Sequence, residues 1–190
     1  MSIAYVNQIL PKDGSQVSIP NFAPIAGSVI QVVQAVKTDS MAASPGALWA
    51  DVPGQGGVGA FSATITPSST SSRILIIVDM KGAGTTDSSV IRSRLLRNST
   101  PIYIGDAASN RPQAMGQFYM ASPAGSFYIA QLGGTFLDSP ATTSAVTYKV
   151  QFGADGNTQT VYVNRTQGDR DANVYDSRVA ATITVMEIAG

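Results

Sequence analysis

The residues that could carry chemistry in this chain are few, because its 190 residues include no histidine and no cysteine. Without histidine there is no Ser-His-Asp triad, imidazole base or histidine-ligated metal. Without cysteine there is no thiol nucleophile, thiolate metal site or disulfide. The twelve acids include one glutamate, Glu187, and lie mainly in predicted loops, so no carboxylate pair for glycoside hydrolysis stands out. The sequence therefore predicts a protein that is not an enzyme and has no catalytic residues, cofactor or metal.

A glycine-rich segment, residues 54–59 (GQGGVG), formally matches the dinucleotide fingerprint G-x-G-x-x-G. That fingerprint needs a strand before it and a helix after it, so that the helix N-terminus meets the pyrophosphate. Here Pro53 precedes the glycines, and a period-two run at residues 61–66 follows them. We therefore interpret the segment as a flexible loop.

Residues 169–173 (DRDAN) imitate the start of an EF-hand calcium loop. The sixth position, which requires glycine, is Val174, and the twelfth, which requires glutamate, is Ala180, so an EF-hand is excluded. A looser ion site stays open beside a second interpretation, a solvated loop whose acids are balanced by neighbouring arginines. Its ligands would be Asp169, Asp171 and Asp176.

Three arginines, Arg92, Arg94 and Arg97, lie close together in one predicted strand. Arg92 and Arg94 fall on the same face of that strand, because side chains alternate between the two faces. Guanidinium groups placed in this way could meet a partner's carboxylates or a glycan phosphate. We favour the simpler interpretation, a polar sheet face that pairs with local aspartates.

The charge balance limits the partners, because twelve basic residues match twelve acidic ones. A nucleic-acid binder normally has a basic excess, so we expect no direct nucleic-acid partner. No apolar run approaches the roughly 18 residues of a membrane span, and the N-terminus lacks the pattern of a signal peptide. We expect a protein made in a cytoplasm, with no membrane partner.

The elements that position these residues are predicted to be strands, because no stretch keeps a helical apolar pattern over three turns. Polar or proline-containing breaks separate the runs, and Asp155-Gly156 is a strong signal for a hairpin between the two runs that flank it. Around nine runs suit an antiparallel all-β jelly-roll sandwich, which uses eight core strands. The predicted strands cover residues 28–37, 61–66, 73–80, 90–97, 102–104, 127–137, 146–152, 160–164 and 178–188.

The first 26 residues differ from the rest, because prolines divide them into pieces too short for a core. We interpret residues 1–26 as an extended N-terminal arm and residues 27–190 as the jelly-roll domain. The apolar residues of the arm are predicted to contact a capsid or other partner. They are Ile3, Tyr5, Val6, Ile9 and Leu10.

Several predicted strands are apolar on both faces, although a sheet with one wet face should alternate apolar and polar residues. Such a strand is either covered by its own loops or packed against another subunit. Large exposed apolar faces are rare on monomers and mark interfaces, so we predict a homo-oligomer. The candidate interface residues are Tyr128, Leu132, Phe136, Met186 and Ile188.

Six phrases in a fixed order give the chain from Gly27 onward a resemblance to a known family. The phrases are GSVIQVV (27–33), ATITPSSTSSRIL (63–75), RLLR (94–97), LDSPATTS (137–144), YKVQ (148–151) and TITVMEI (182–188). In this order they resemble bacteriophage virion surface proteins, familiar from viruses of aquatic bacteria and cyanobacteria. The resemblance covers roughly 160 residues and leaves the arm unmatched.

The resemblance implies a jelly roll that assembles as a trimer on a phage particle. It carries no catalytic residues over to this chain. Because the chain shows one domain, an arm and no repeated shaft, we expect a capsid decoration (cement) protein on the outer capsid surface, made in the host bacterial cytoplasm. Its expected partners are the major capsid protein and neighbouring decoration subunits.

The competing interpretation is a receptor- or glycan-binding domain of a head or tail fibre. Aromatic residues in two predicted loops, residues 109–121 and 167–176, would stack on sugars. These residues are Phe118, Tyr119 and Tyr175.

Overall fold

The chain folds into strands because β-branched and aromatic residues dominate the runs between its turns. The computed structural model describes residues 24–46, 49–85, 89–120, 126–156, 159–171 and 174–190. Within these ranges there are fourteen strands and no α-helix, and so no helix that could cross a membrane. The strands are β1 (Val29–Lys37), β2 (Met41–Ala43), β3 (Trp49–Asp51), β4 (Ser62–Ile65), β5 (Arg73–Asp79), β6 (Lys81–Gly84), β7 (Ser89–Arg97), β8 (Thr100–Ile102), β9 (Gly116–Met120), β10 (Ala130–Gln131), β11 (Gly134–Asp138), β12 (Val146–Ala154), β13 (Val161–Val163) and β14 (Ala181–Ile188).

Four strand positions form one bent sheet, which we call sheet I. Its first half has the order β1-β14-β5-β11, and its second half repeats that order as β2-β13-β6-β10. Three of the four positions break for only one to three residues at the bend, for example at Met80 between β5 and β6, whereas residues 164–180 separate β13 from β14. The excursion between β13 and β14 closes on itself, because the Val179 amide donates to the Asn164 carbonyl over 3.0 Å. All pairings in sheet I are antiparallel.

The facing sheet, which we call sheet II, has the order β3-β12-β7-β8. Strand β4 follows β3 along the same edge of β12, and β9 shares one edge of β7 with β8. Sheet II therefore also has four strand positions, and all its pairings are antiparallel.

The connectivity of the eight strand positions defines the fold. Numbered along the chain, sheet I has the spatial order 1-8-3-6 and sheet II has the order 2-7-4-5. This alternation between two four-stranded sheets is the jelly-roll arrangement. The predicted fold class is therefore confirmed. The first and last strands lie side by side, since Val29 pairs with Ile188 and the Gly27 amide donates to the Ala189 carbonyl over 2.8 Å.

The core lies between the inward faces of the two sheets. Ile74, Ile76 and Val78 of β5 point inward, while the residues between them point outward. From sheet II, Tyr148, Val150 and Phe152 of β12 meet them, and all of these side chains are buried. The alternation in β12 agrees with the sequence pattern and orients the outer faces described below.

Several local predictions are wrong, for identifiable reasons. The Asp155-Gly156 turn does not close a hairpin, because β12 lies in sheet II and β13 pairs with β2 and β6 in sheet I. The run at residues 127–137 breaks at Leu132, whose amide donates to the Met80 carbonyl over 2.8 Å. The predicted loop at residues 109–121 contains β9, which pairs with β7.

The structure describes only residues 24–26 of the predicted arm, so it does not test the predicted boundary between the arm and the domain. Residues 24–26 are exposed and lead into β1. The arm residues Ile3, Tyr5, Val6, Ile9 and Leu10 lie outside the described residues, so their predicted contacts stay a prediction.

Candidate interaction surfaces

The outer face of sheet I carries an apolar row that crosses all four strands of its first half. Val32 pairs with Met186, Met186 with Leu75, and Leu75 with Leu137. Val32 is 55% exposed, and the other three side chains are half-buried. Because neighbouring strands lie about 4.8 Å apart, the row is a continuous apolar band roughly 14 Å wide.

The rows beside this band are mostly uncharged. One row holds Ile77 between threonines, and in it the Gln34 amide nitrogen donates to the Thr184 hydroxyl over 2.7 Å. The charged side chains of this outer face are Arg73 and Asp79, at opposite ends of β5. The remaining apolar members, Val29, Val36 and Ile188, widen the band along β1 and β14. We call the outer side of β1, β14, β5 and β11 the apolar face.

The outer face of sheet II is a polar lattice instead. The Asp51 carboxylate accepts hydrogen bonds from the Lys149 ammonium over 2.7 Å and from the Gln151 amide over 2.6 Å. The Gln151 carbonyl oxygen in turn accepts from Arg94 Nε over 2.8 Å, and the Arg94 guanidinium lies 4.5 Å from the centre of the Trp49 ring. Burial opposes ionisation of Asp51, but these two donors outweigh it and hold its pKa below the ordinary value.

The three arginines of β7 do not form one anion site. Arg92 is buried and donates to the Ala154 carbonyl. Arg94 joins the polar lattice of sheet II, whereas Arg97 points inward and donates to both carboxylate oxygens of Asp138 over 2.9 and 3.1 Å. This arrangement agrees with a sheet face that satisfies its own charges.

Two buried carboxylates of sheet I fix the packing of the sandwich. Asp138 of β11 accepts from Arg97 of β7 and from the Tyr148 hydroxyl of β12 over 2.7 Å, so it ties the two sheets together. Burial and the neighbouring Asp138 carboxylate raise the pKa of Tyr148 well above its ordinary value. Sequence patterns did not reveal this contact, because Arg97 is 41 residues from Asp138 and because Asp138 and Tyr148, although ten residues apart, lie on strands of different sheets.

Glu187 of β14 is the second buried carboxylate, and it holds the turn that precedes β5. Its oxygens accept from the Ser68 amide over 2.7 Å, from the Ser68 and Ser72 hydroxyls over 2.6 Å, and from Gln31 over 2.6 Å. Burial opposes ionisation, but these hydrogen bonds outweigh it and lower the pKa of Glu187 to about 2. The only glutamate is therefore a structural clamp at one end of sheet I.

An aromatic cleft opens beside β9. It encloses about 270 Å³ and is lined by Phe118, Tyr119, Met120, Tyr128 and Ala130. Tyr119 is 56% exposed and Tyr128 is 63% exposed, so two tyrosine rings face solvent. We call this surface the aromatic cleft.

The loop between β13 and β14 is held by ion pairs. Asp169 pairs with Arg165 and Arg178 over 3.2 and 2.8 Å, and Asp176 pairs with Arg170 over 2.6 Å. The hydrogen bond from Arg170, helped by one from Thr166, lowers the pKa of Asp176 to about 2. No group of three or more acidic side chains in the described part of the chain could hold a metal ion. The loop therefore agrees with a balanced set of charges.

The predicted interface residues do not share one surface. Leu132 is fully buried in the subunit's own core, so its prediction as an interface residue is wrong. Phe136 packs on the inward side of sheet I, where its ring stacks on Tyr103 at 5.1 Å. Tyr128 lies in the aromatic cleft, and Met186 and Ile188 lie on the apolar face. The exposed valines of β1 were not among the predicted interface residues, although the apolar run VIQVV at residues 29–33 indicates them.

Comparison with known protein families gives no match, and no curated protein matches the chain. Solved structures with some similarity include a chain of infectious bursal disease virus, Gx strain, at 9% identity and a TM-score of 0.42, covering 92% of this chain and 45% of the viral one. A chain of the T13 particle of the same virus has 8% identity and a TM-score of 0.44, and the match covers 92% of this chain and 43% of the viral one. A chain of the Gt strain has 9% identity and a TM-score of 0.42, and the match covers 93% of this chain and 42% of the viral one. The chain thus spans less than half the length of these viral chains. At TM-scores below 0.5 they add nothing to the fold assignment, which rests on strand order.

Proposed function

We propose that this protein is a structural subunit of a bacteriophage virion, a decoration protein that trimerises on the outer capsid surface and stabilises the shell. The observation that carries the proposal is the apolar face, because a monomer in water gains nothing from a band of exposed valines and half-buried leucines and methionine. A shell subunit covers such a face with its neighbours. The resemblance to phage surface proteins supplies the particle and the three-fold assembly.

The composition supports a structural role over catalysis. The chain lacks histidine and cysteine, and most of the charged groups in the described part of the chain make hydrogen bonds or ion pairs that hold the fold. In this proposal the partners are the major capsid protein and neighbouring copies. The apolar arm residues Ile3, Tyr5, Val6, Ile9 and Leu10 contact the capsid.

The copy number per virion tests the proposed role. Quantitative mass spectrometry of purified particles should find hundreds of copies for a capsid decoration protein. A handful of copies would place the chain in a tail or vertex fibre and reject the decoration role.

A deletion tests the arm separately. Removing residues 1–26 should abolish binding to capsids that lack the protein, while circular dichroism and sedimentation show the same folded assembly. The double variant Ser2→Ala and Asn7→Ala is the control, because it keeps the apolar side chains of the arm and should bind capsids as the wild type does. Undiminished capsid binding by the deletion would reject the proposed role of the arm.

A second candidate function, glycan or receptor binding, is favoured by the aromatic cleft. Exposed tyrosine rings with hydroxyl groups beside them suit sugars, whose C–H faces stack on aromatic rings. Tyr119→Ala and Tyr128→Ala should then reduce adsorption of the purified protein to host cells at least tenfold. Tyr162→Ala, which changes a tyrosine on sheet I, is the control, and unchanged adsorption by the cleft variants would reject this candidate.

A further inference from the structure

We infer that the apolar face pairs with the same face of a second copy about a two-fold axis that crosses the strands. This inference rests on the self-association within the proposed function. It adds a contact that the three-fold assembly does not require. In this inference the three-fold contact lies elsewhere, for example around Tyr128, so that the apolar face would join one trimer to the next.

The distribution of charge along β5 selects the second copy as the occupant. The outward residues of β5 read Arg73, Leu75, Ile77 and Asp79. This order is self-complementary, since reversing the strand exchanges the cation with the anion and leaves two apolar residues in the middle. At about 3.3 Å per residue, Arg73 and Asp79 lie roughly 20 Å apart.

A two-fold axis between Leu75 and Ile77 uses this complementarity. Two copies related by such an axis lay their strands antiparallel, with Arg73 of each copy opposite Asp79 of the other. The same rotation places the row of Val32, Met186, Leu75 and Leu137 over the row that contains Ile77. Packed sheets lie about 10 Å apart with their strands nearly aligned, which leaves room for these side chains to interdigitate.

The two charged residues differ in their present contacts. Asp79 accepts from the Lys81 ammonium over 2.5 Å and from the Gln131 amide over 3.2 Å, and its side chain is 45% exposed. Arg73 is exposed and makes no ion pair within the described ranges. A second copy would supply that missing carboxylate.

The size of the face predicts a weak contact. Four strands about 4.8 Å apart and seven residues long cover roughly 19 by 23 Å, or about 440 Å² in projection per copy. Two copies then bury an area at the low end of specific interfaces, so we expect dissociation constants of roughly 10–100 μM. Repetition around a shell multiplies such contacts, and a weak two-fold contact is sufficient there.

Sedimentation of the purified protein between 5 and 500 μM tests the inference without any capsid. The assembly should at least double in mass as concentration rises, because every copy carries one such face, and Leu75→Glu should weaken this doubling at least tenfold. Thr64→Glu, at an exposed outward position of sheet II, is the matched control and should leave it unchanged. Absence of doubling at 500 μM, or doubling that survives Leu75→Glu, would overturn the inference.

A charge exchange tests the direction of the strands. Arg73→Glu alone and Asp79→Lys alone should each lose the doubling in mass, because like charges then face one another across the two-fold contact. An equimolar mixture of the two variants should associate again, since each charge meets its opposite in the other chain. Failure of the mixture, with both variants folded by circular dichroism, would reject the antiparallel arrangement.

These results are separable from the proposed function. Loss of the doubling with intact capsid binding rejects only the two-fold contact. Intact doubling with no capsid binding rejects only the decoration role.

Discussion

The two sheets of this sandwich carry their main carboxylate networks on opposite sides, apart from Arg73 and Asp79 at the ends of the outer face of sheet I. Sheet II shows Asp51, Lys149 and Arg94 to solvent, each held by a neighbour on the same face. Sheet I turns Asp138 and Glu187 inward, where they are buried, and shows an apolar band outward. A polar lattice that satisfies itself needs no partner, whereas an apolar band gains free energy when something covers it. The outer face of sheet II is therefore stable in water on its own, whereas the outer face of sheet I gains stability when another surface covers it.

The largest expected effect comes from replacing Glu187, because its carboxylate accepts hydrogen bonds from Ser68, Ser72 and Gln31 on the inward side of sheet I. Glu187→Ala leaves the donors on Ser68, Ser72 and Gln31 without their acceptor, and we expect it to lower the free energy of unfolding by about 4 kcal/mol. Urea unfolding followed by circular dichroism measures the change. A loss below 1 kcal/mol would show that the inward carboxylates of sheet I matter no more than exposed ones.

Acid sharpens the same point, because the pKa of Glu187 is about 2 in the folded chain and its ordinary value is 4.5. The contribution of a group with a lowered pKa is complete above pH 4.5 and is lost as the pH falls toward 2. Wild-type protein should therefore lose about 3 kcal/mol more than Glu187→Gln across that range. Parallel stability curves for the two proteins would contradict the assignment.

The tie between the sheets should have a smaller effect. Asp138→Asn keeps the shape and an acceptor for Tyr148 but removes the charge that faces Arg97, and we expect a loss of about 2 kcal/mol. Tyr148→Phe removes one hydrogen bond and should cost about 1 kcal/mol. Thermal unfolding of both variants checks this order, and the reverse order would mean that the hydroxyl, not the ion pair, joins the sheets.

The smallest effect should come from the polar lattice of sheet II. Asp51→Asn breaks a partly exposed ion pair with Lys149, and such pairs contribute less than about 1 kcal/mol. Urea midpoints in low and high salt measure it, with the salt dependence reduced in the variant. A loss comparable to that of Glu187→Ala would break the contrast between the two sheets.

The sequence predicted the long strands well, because their alternation has a clear period. The patterns of β5, β7, β12 and β14 fall within one to three residues of the observed bounds. The sequence also predicted Met186 as an apolar residue available for an interface. The residues that pair with Met186 on neighbouring strands were not predicted, since pairing between strands that are distant in sequence leaves no signal in the local sequence.

The short elements escaped prediction for physical reasons. Strand β6 contains two glycines and an alanine, so its sequence lacks β-branched residues, and Gly82 and Gly84 lie where a side chain would meet Leu132 or Ile91. Their strand geometry is imposed by neighbours and not by propensity. Asp155-Gly156 led to a wrong prediction of a hairpin, because this local turn signal joins β12 and β13, which belong to different sheets. The clamp on Glu187 was not foreseeable, since its donors lie more than 100 residues away.

The neighbouring ends of β1 and β14 have a mechanical consequence. Force applied between the two ends of the domain would pull Val29 away from Ile188 and then open the antiparallel ladder one pair at a time. Such unzipping loads each hydrogen bond in turn, so the domain resists little tension along this path. A load that enters through the broad sides of the sheets is shared by many bonds at once. We therefore expect the domain to unfold at low force when it is pulled from these two neighbouring ends.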